Sequence, residues 1–350
     1  MDLSLSSYII QLGNNPFLWV ITALIASVIF VNGLNDAPNS ITTCVATRSL
    51  SPKKALVMAA IFSFLGVFIM SFVSTAVAKT VYSIADFGGN SHNALIALCA
   101  AMIAIVVWSV FAWKLGIPTS QSHALIAGIT GANIAILNNF SGVNFRAWEK
   151  VLLGLGISTV LGFSLGFLIS RLIEKICQNI DRRKTIPVFR CFQILGDAAM
   201  SFMHGAQDGQ KFLAVFIMEI FLSKGIMQNS NFNIPIWMMF VCSAIMTVGT
   251  CIGGPKIIKN IGMRMAKIES YQGTAADMSG FTCLLFSSLC GIPVSTGQTK
   301  TTAIMGVSAS KRWSSVDWSI AKNMVIAWIV TFPGCGILGY LFTKVLVQIF

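Results

Sequence analysis

Charge is what this 350-residue chain has least of: Lys, Arg, Asp and Glu make up 10% of it, and acidic residues number only 12. Soluble domains carry about 25% charged residues, so a fold surrounded by water is excluded. His92, His123 and His204 stand far apart, and the nine cysteines contain no CxxC pair. Neither a zinc site nor a disulfide framework is expected from such spacing. Basic residues outnumber acidic ones, 24 to 12, but no RNA- or DNA-binding motif accompanies them. They gather in loops, as membrane topology requires, and no nucleic-acid partner is expected. The first 16 residues hold one charge, Asp2; without a basic n-region, no ordinary cleavable signal peptide is expected.

Apolar residues, in contrast, are abundant, at 55%. Hydrophobic segments run over 17–47, 55–78, 94–113, 117–139 and 150–171, then over 194–222, 235–253, 275–290, 292–310 and 319–345. Several approach or exceed the roughly 18 residues that mark a spanning helix. The stretch Arg171 to Arg190 between the two sets is the most basic part of the chain and belongs in the cytoplasm. The expected division is a first transmembrane repeat over 1–172, a basic cytoplasmic linker over 173–190 and a second, inverted repeat over 191–350. With both termini outside, the inner loops receive Arg48, Lys53 and Lys54, then the linker, then Lys256, Lys259, Arg264 and Lys267, then Lys311 and Arg312. The implied location is the cell (inner) membrane, with roughly ten to twelve crossings, because broken segments can fold back as hairpins.

The halves repeat each other. GLNDAPN starts at Gly33 and GAQDGQK at Gly205, 172 positions on; GIPTSQSH starts at Gly116 and GIPVSTGQ at Gly291, 175 positions on. A repeat with an odd number of crossings is necessarily inverted. The fold expected is an all-α polytopic membrane protein. It has two inverted-topology repeats of about five crossings each, with broken helices or re-entrant hairpins meeting at mid-membrane. Residues 16–47 as one straight helix would span about 47 Å against a hydrocarbon core of about 30 Å. Pro38 disfavours helical geometry at Ala37, which predicts the break at NDAPN. Gly205 and Gly209 are expected to loosen the backbone around Asp208, which brings both Asp36 and Asp208 to mid-membrane depth.

An ionised Asp in hydrocarbon costs on the order of 3 kcal/mol and is tolerated where it faces protein or water. The polar knots therefore read as a functional site. GIPTS and GIPVS place Pro where a helix starts, followed by hydroxyl residues. Such helix N-termini bind anions, and Ser120, Ser122, Ser295 and Thr296, with Thr119, can donate to an oxyanion without adding fixed charge. One copy alone would serve equally as an ordinary helix cap; two copies beside two polar knots favour the anion site. A carboxylate beside an anion needs a cation or a proton, so Asp36 and Asp208 read as ligands of a coupling ion, Na⁺ or H⁺. Asn35, Asn39 and Gln207 are neutral oxygen donors, and Gln207 also belongs to the substrate set. Lys211 stands where the first copy has Asn39. It is a built-in cation that could pair with Asp208 or touch the anion; the plainer alternative is a lysine that snorkels to the surface. His123, Gln298 and Asp277 are secondary candidates, and Asp197 is expected near the interface. No organic cofactor is implied.

These motifs resemble the inorganic phosphate transporter (PiT) family, whose signature is a twice-occurring Gly-x-Asn-Asp-x-x-Asn. The resemblance runs from about Phe30 to about Val345 and includes both GIP-Ser motifs and AIMGVSASKRW, Ala303 to Trp313. DGQK, Asp208 to Lys211, is similar to a bacterial branch of low-affinity permeases in which Lys replaces the last Asn. The resemblance implies import of phosphate, alone or as a complex with a divalent metal, with Na⁺ or H⁺ by alternating access, and a homodimer. By position, its substrate and ion site falls on Asn35, Asp36, Asn39, Ser120, Ser122, Asp208, Ser295 and Thr296. Gln207 stands where Asn is usual, and Gly297–Gln298 where a hydroxyl residue and His are usual. A sulfate permease is the alternative substrate reading. A lipid pyrophosphate phosphatase is the alternative of another class, but it would need cationic help for the transferred group, and no Arg lies near Ser120 or Ser295. A channel would not need broken repeats around buried carboxylates.

Overall fold

The computed structural model describes residues 3–88, 90–115, 119–226, 233–253 and 268–350. Gly116, Ile117 and Pro118 of the first GIP motif, and the basic residues Lys256, Lys259, Arg264 and Lys267, lie outside the described residues. The helices are α1 (Leu5–Asn14), α2 (Pro16–Ser40), α3 (Thr42–Ala46), α4 (Pro52–Val73), α5 (Ala76–Tyr82), α6 (Ser91–Leu115), α7 (Gln121–Leu137), α8 (Phe145–Cys177), α9 (Arg182–Ser223), α10 (Ile236–Ile252), α11 (Ser270–Leu289), α12 (Thr296–Lys311) and α13 (Trp318–Ile349). Apart from one isolated bridge between Ala85 and Val143, there is no β-structure among the described residues. The fold is all-α.

Among the described residues, five helices are long and apolar enough to cross a membrane: Pro16–Asp36, Pro52–Val73, Ser91–Ala112, Phe145–Cys177 and Ala321–Ile349. The chain is a multi-pass membrane protein. Its most polar helices are its innermost ones. Every residue of α9 from Met203 to Leu222 is buried, as is every residue of α7 from Gln121 to Asn133 and of α12 from Gln298 to Ser310. Hydrocarbon offers no partner to a polar side chain, so these segments are sheathed in protein. The sheath is α4, α8, α10 and α13, which expose Ile61, Leu168, Phe240 and Ile329 among other large apolar residues.

Glycines set how closely sheath and centre approach. A Cβ on Gly66 would stand under 3 Å from the carbonyl oxygen of Phe202, and one on Gly205 under 3 Å from that of Ser63. α4 thus crosses α9 backbone against backbone. The crossing of α10 on α2 has the same form, with Gly249 against Phe30 O and Gly33 against Met246 O. Phe30 and Phe202, like Gly33 and Gly205, are 172 positions apart. α13 meets α7 through Gly131 against Gly336 O and Gly339 against Gly128 O; α8 meets α12 through Gly306 against Phe163 O and Gly166 against Ala303 O. Small residues are what allow membrane helices this approach. The duplication seen in the motifs therefore extends to the helix crossings, each of which joins one half to the other.

Two expectations are corrected. The break predicted at NDAPN does not occur there: α2 stays helical through Ser40, and the chain turns at Ile41 before α3. The proline removes one N–H, which membrane helices tolerate in a protein-lined setting; the break comes where Lys300 Nζ takes the carbonyl of Ser40 at 3.1 Å. Nor do Gly205 and Gly209 loosen the backbone, since α9 runs unbroken for 42 residues. They are packing seats for Ser63 and Val67 of α4. Asp197 is fully buried in protein and paired with Lys300. In addition, α8 reaches Cys177 and α9 starts at Arg182, so most of the basic linker is helical. α1, absent from the expected segments, is held by Tyr8, whose hydroxyl bonds Thr22 at 2.6 Å and donates to Glu219 at 3.4 Å.

Candidate functional site

Two motif aspartates from different halves meet at the centre. The side-chain nitrogen of Asn32, Nδ2, lies 3.1 Å from Asp36 Oδ2 and 3.5 Å from Asp208 Oδ2, so one side chain ties the pair together. Asn32 precedes Asp36 by four residues, one helical turn, and His204 precedes Asp208 in the same way. His204 Nδ1 lies 3.2 Å from Asp208 Oδ2 and 3.1 Å from Thr296 Oγ1. Asn32 and His204 are 172 positions apart and hold matching places in the two copies. Both fall just outside the repeated motifs, although the helical period applied to the repeat identifies them.

Lys211 does not snorkel. It is 1% exposed, and its Nζ donates to Asp208 Oδ1 at 2.6 Å, Ser122 Oγ at 2.6 Å and the carbonyl of Val294 at 2.5 Å. The ammonium thus joins α9 to the starts of α7 and α12 and uses all three of its donors. Asn39, its counterpart in the first half, donates to Asp36 Oδ1 at 3.5 Å.

Helices α7 and α12 begin at this point. Ser120 and Ser295 are their N-caps, accepting from the amides of His123 at 3.3 Å and Gln298 at 3.4 Å. A helix leaves its first amides without intrahelical partners, and this capping leaves over those of Gln121–Ser122 and Thr296–Gly297. Thr296 Oγ1 donates to Asp208 Oδ2 at 3.2 Å. The side-chain carbonyl oxygens of Asn32, Asn35, Asn39, Gln207 and Gln298, and His204 Nε2, are buried without a hydrogen-bond partner. So many unsatisfied polar atoms in one place mark a site built for a polar guest. The cavity bounded by Asn39, Thr119, Ser295, Gly297, Gln298, Thr301, Met324 and Trp328 is only about 10 Å³, room for about one water.

The structure brings together Asp36, Asp208, Asn39, Ser122, Lys211 and Thr296, with Ser120 and Ser295 as the caps. Gln207 bonds the carbonyl of Ile292 at 3.3 Å through Nε2. Of the secondary candidates, His123 stacks on Phe332 with ring centroids 4.4 Å apart, Gln298 donates to Thr159 at 2.7 Å, and Asp277 lies elsewhere, against Lys300. Gly297 has a specific reason to be glycine. A Cβ there would stand 2.7 Å from Asn39 Nδ2. Gly297→Val is expected to push Asn39 off Asp36 and to raise the KM for transported substrate several-fold while leaving thermal stability near wild type. An unchanged KM would show that Asn39 is not part of the site.

A sequence model described as "Phosphate transporter family" matches residues 32–339. The chain belongs to the phosphate transporter family. It is 35% identical over 321 residues to a protein of Bacillus subtilis (strain 168) described as "probable low-affinity inorganic phosphate transporter", covering 92% of this chain and 94% of that one. A protein of Rhizobium meliloti (strain 1021) with the same description is 34% identical, covering 89% and 91%. Among solved structures, "The sodium-dependent phosphate transporter" superposes with a TM-score of 0.85 at 21% identity, over 96% of this chain and 100% of that one. At that identity the likeness is one of fold. Family membership makes this chain a phosphate transporter rather than an enzyme, which excludes the lipid phosphatase reading.

Proposed function

We propose that this protein is a secondary active transporter that imports inorganic phosphate across the cell membrane by alternating access, coupled to protons. The carrying observation is the convergence of two helix N-termini, α7 and α12, on a buried pair of carboxylates, of which Asp208 is paired with the built-in cation Lys211. Asp36 and Asp208 carry two negative charges and Lys211 one positive. One unit of negative charge remains, and a phosphate anion joining it requires a further cation. Inward movement of that anion also works against a negative interior, at about 2.3 kcal/mol per charge per 100 mV. A co-transported cation answers both demands, bound at Asp36 with Asn35, Asn39 and Asn32 as neutral oxygen donors. Phosphate takes the free amides at Gln121–Ser122 and Thr296–Gly297, with the Ser122 hydroxyl, which accepts from Lys211 and keeps its own proton to donate.

Lys211 favours H⁺ over Na⁺, because its ammonium occupies the oxygen-lined place that Asn39 leaves available in the other half. Sodium bound by Asp36 and Asp208 is the second reading, and the sodium dependence by which the similar solved structure is described is the reason to test it. Alternating access is supported by the burial of Asp36, Asp208, Lys211, Ser122 and Thr296, which must be exposed in turn to exchange a guest. The duplicated crossings support a plan of two repeats; the inverted arrangement, with the residues between α8 and α9 in the cytoplasm and both termini outside, is supported by the basic residues gathered there.

The test is uptake of radiolabelled phosphate into proteoliposomes with pH and Na⁺ gradients imposed separately, sulfate as competitor and Mg²⁺ varied. The expected result is uphill accumulation driven by the pH gradient alone, unaffected by sulfate. Lys211→Asn, which restores the first-half residue, is expected to make uptake depend on Na⁺. Strict Na⁺ dependence of the wild type without a pH gradient would sink proton coupling, and sulfate flux without phosphate flux would sink the substrate.

A further inference from the structure

A second buried ion cluster lies away from the central site. Lys300 follows Thr296 by one turn of α12, and its Nζ is surrounded by four oxygens from four elements. These are the carbonyl of Ser40 at the end of α2 (3.1 Å), Thr43 Oγ1 of α3 (3.0 Å), Asp197 Oδ1 of α9 (2.9 Å) and Asp277 Oδ1 of α11. Lys300, Thr43, Asp197 and Asp277 are all 0% exposed. Thr43 Oγ1 also lies 2.7 Å from Asp197 Oδ1 and 2.8 Å from Asp277 Oδ1, and the amide of Cys44 donates to Asp197 Oδ2 at 2.8 Å.

This shell is richer than an ammonium needs. Lys has three N–H donors, yet four oxygens stand within reach, and a fifth, Asp277 Oδ2, is buried with no hydrogen-bond partner. Two carboxylates face one positive charge. A free carbonyl at a broken helix end, a hydroxyl and two carboxylates are the hard-oxygen set that membrane transporters offer to an alkali cation. A metal ion has no limit of three directions and could use all of them. We infer that Lys300 is a tethered cation filling an alkali-metal site formed by Ser40 O, Thr43, Asp197 and Asp277, and that its side chain is what frees the protein from Na⁺ there.

The consequence for transport rests on the cation-coupled reading above; the consequence for binding does not. The cluster is joined to the central site through three elements: α2, which carries Asp36 and ends at Ser40, α9, which carries both Asp197 and Asp208, and α12, which carries both Thr296 and Lys300. An uncompensated pair of aspartates here would shift the start of α12 and with it the phosphate donors.

The experiment is thermal unfolding of purified Lys300→Ala in NaCl, LiCl and choline chloride at equal ionic strength. Alongside it stand the wild type and the charge-neutral chain Lys300→Met with Asp197→Asn and Asp277→Asn. The expected result is a saturable rise in melting temperature with Na⁺ or Li⁺ in Lys300→Ala, larger than in the wild type and absent from the neutral chain. Phosphate uptake by Lys300→Ala should fall at least tenfold in choline and recover in Na⁺. Equal stability of Lys300→Ala in all three salts would overturn the inference. So would failure to recover folded Lys300→Ala in NaCl when the neutral chain folds. Na⁺ stabilisation of Lys300→Ala without phosphate uptake under any gradient would keep the cation site and overturn the transport reading instead.

Discussion

Asp208→Asn is expected to abolish phosphate uptake, with a loss of at least about a hundredfold. Asp208 is the counter-charge of Lys211 and also accepts from Thr296, while lying 3.2 Å from His204. Removing one partner of a buried ion pair costs about 3–5 kcal/mol, because the other charge is left uncompensated, and each 1.4 kcal/mol is about tenfold in an equilibrium. The free ammonium would then turn toward phosphate and hold it. Binding would survive while turnover fails. Asp36→Asn should behave differently, because the neighbours that Asp36 bonds are the neutral amides of Asn32 and Asn39. In that variant, uphill accumulation should disappear while phosphate counterflow persists, since the cycle loses its coupling charge but keeps its anion donors. The pair is checked by measuring accumulation and counterflow in the same proteoliposomes. Full accumulation by either variant would remove the aspartates from the coupling role.

Gly205→Val is expected to prevent folding. The new side chain would enter space already held by the backbone of Ser63, which cannot move aside as a side-chain tip can. Overpacking of a yielding core costs about 1–3 kcal/mol, and a backbone contact lies at or beyond the top of that range. Gly33→Val should fail in the same manner against Met246 in α10, because the two crossings are copies of each other. Gly156→Ala and Gly13→Ala, where nothing lies within 4 Å, should be neutral. Size-exclusion profiles and melting temperatures of detergent-purified protein decide this. Wild-type melting of Gly205→Val would mean that α4 and α9 do not pack as described.

The polar centre is legible along the chain because hydrocarbon makes it conspicuous. Asp36 and Asp208 stand out within apolar runs, and GIPTS and GIPVS stand out as paired helix starts. Their spacing alone indicates that the two halves are alike and that Lys211 replaces Asn39. Asn32 and His204 require one further step, the helical period applied to the repeat. Lys300, Asp197 and Asp277 are visible as isolated charges in apolar segments, and charge balance is the signal that they neutralise one another.

Residue order thus establishes the class of protein, its duplicated plan and the motif residues of the centre, because hydropathy, proline and charge act locally and leave marks along the chain. Contacts across the fold decide the rest. Pro38 is a strong local signal for a break, yet the break falls at Ile41, where a lysine from position 300 takes a freed carbonyl. Glycines at 205 and 209 read locally as flexibility and act as seats for another helix. A lysine at position 211 has the reach for Asp208, for the anion or for the surface; burial beside Asp208, Ser122 and the carbonyl of Val294 selects the first. In each case the local preference is worth about 1 to 3 kcal/mol, and a buried charge or a backbone crossing outweighs it.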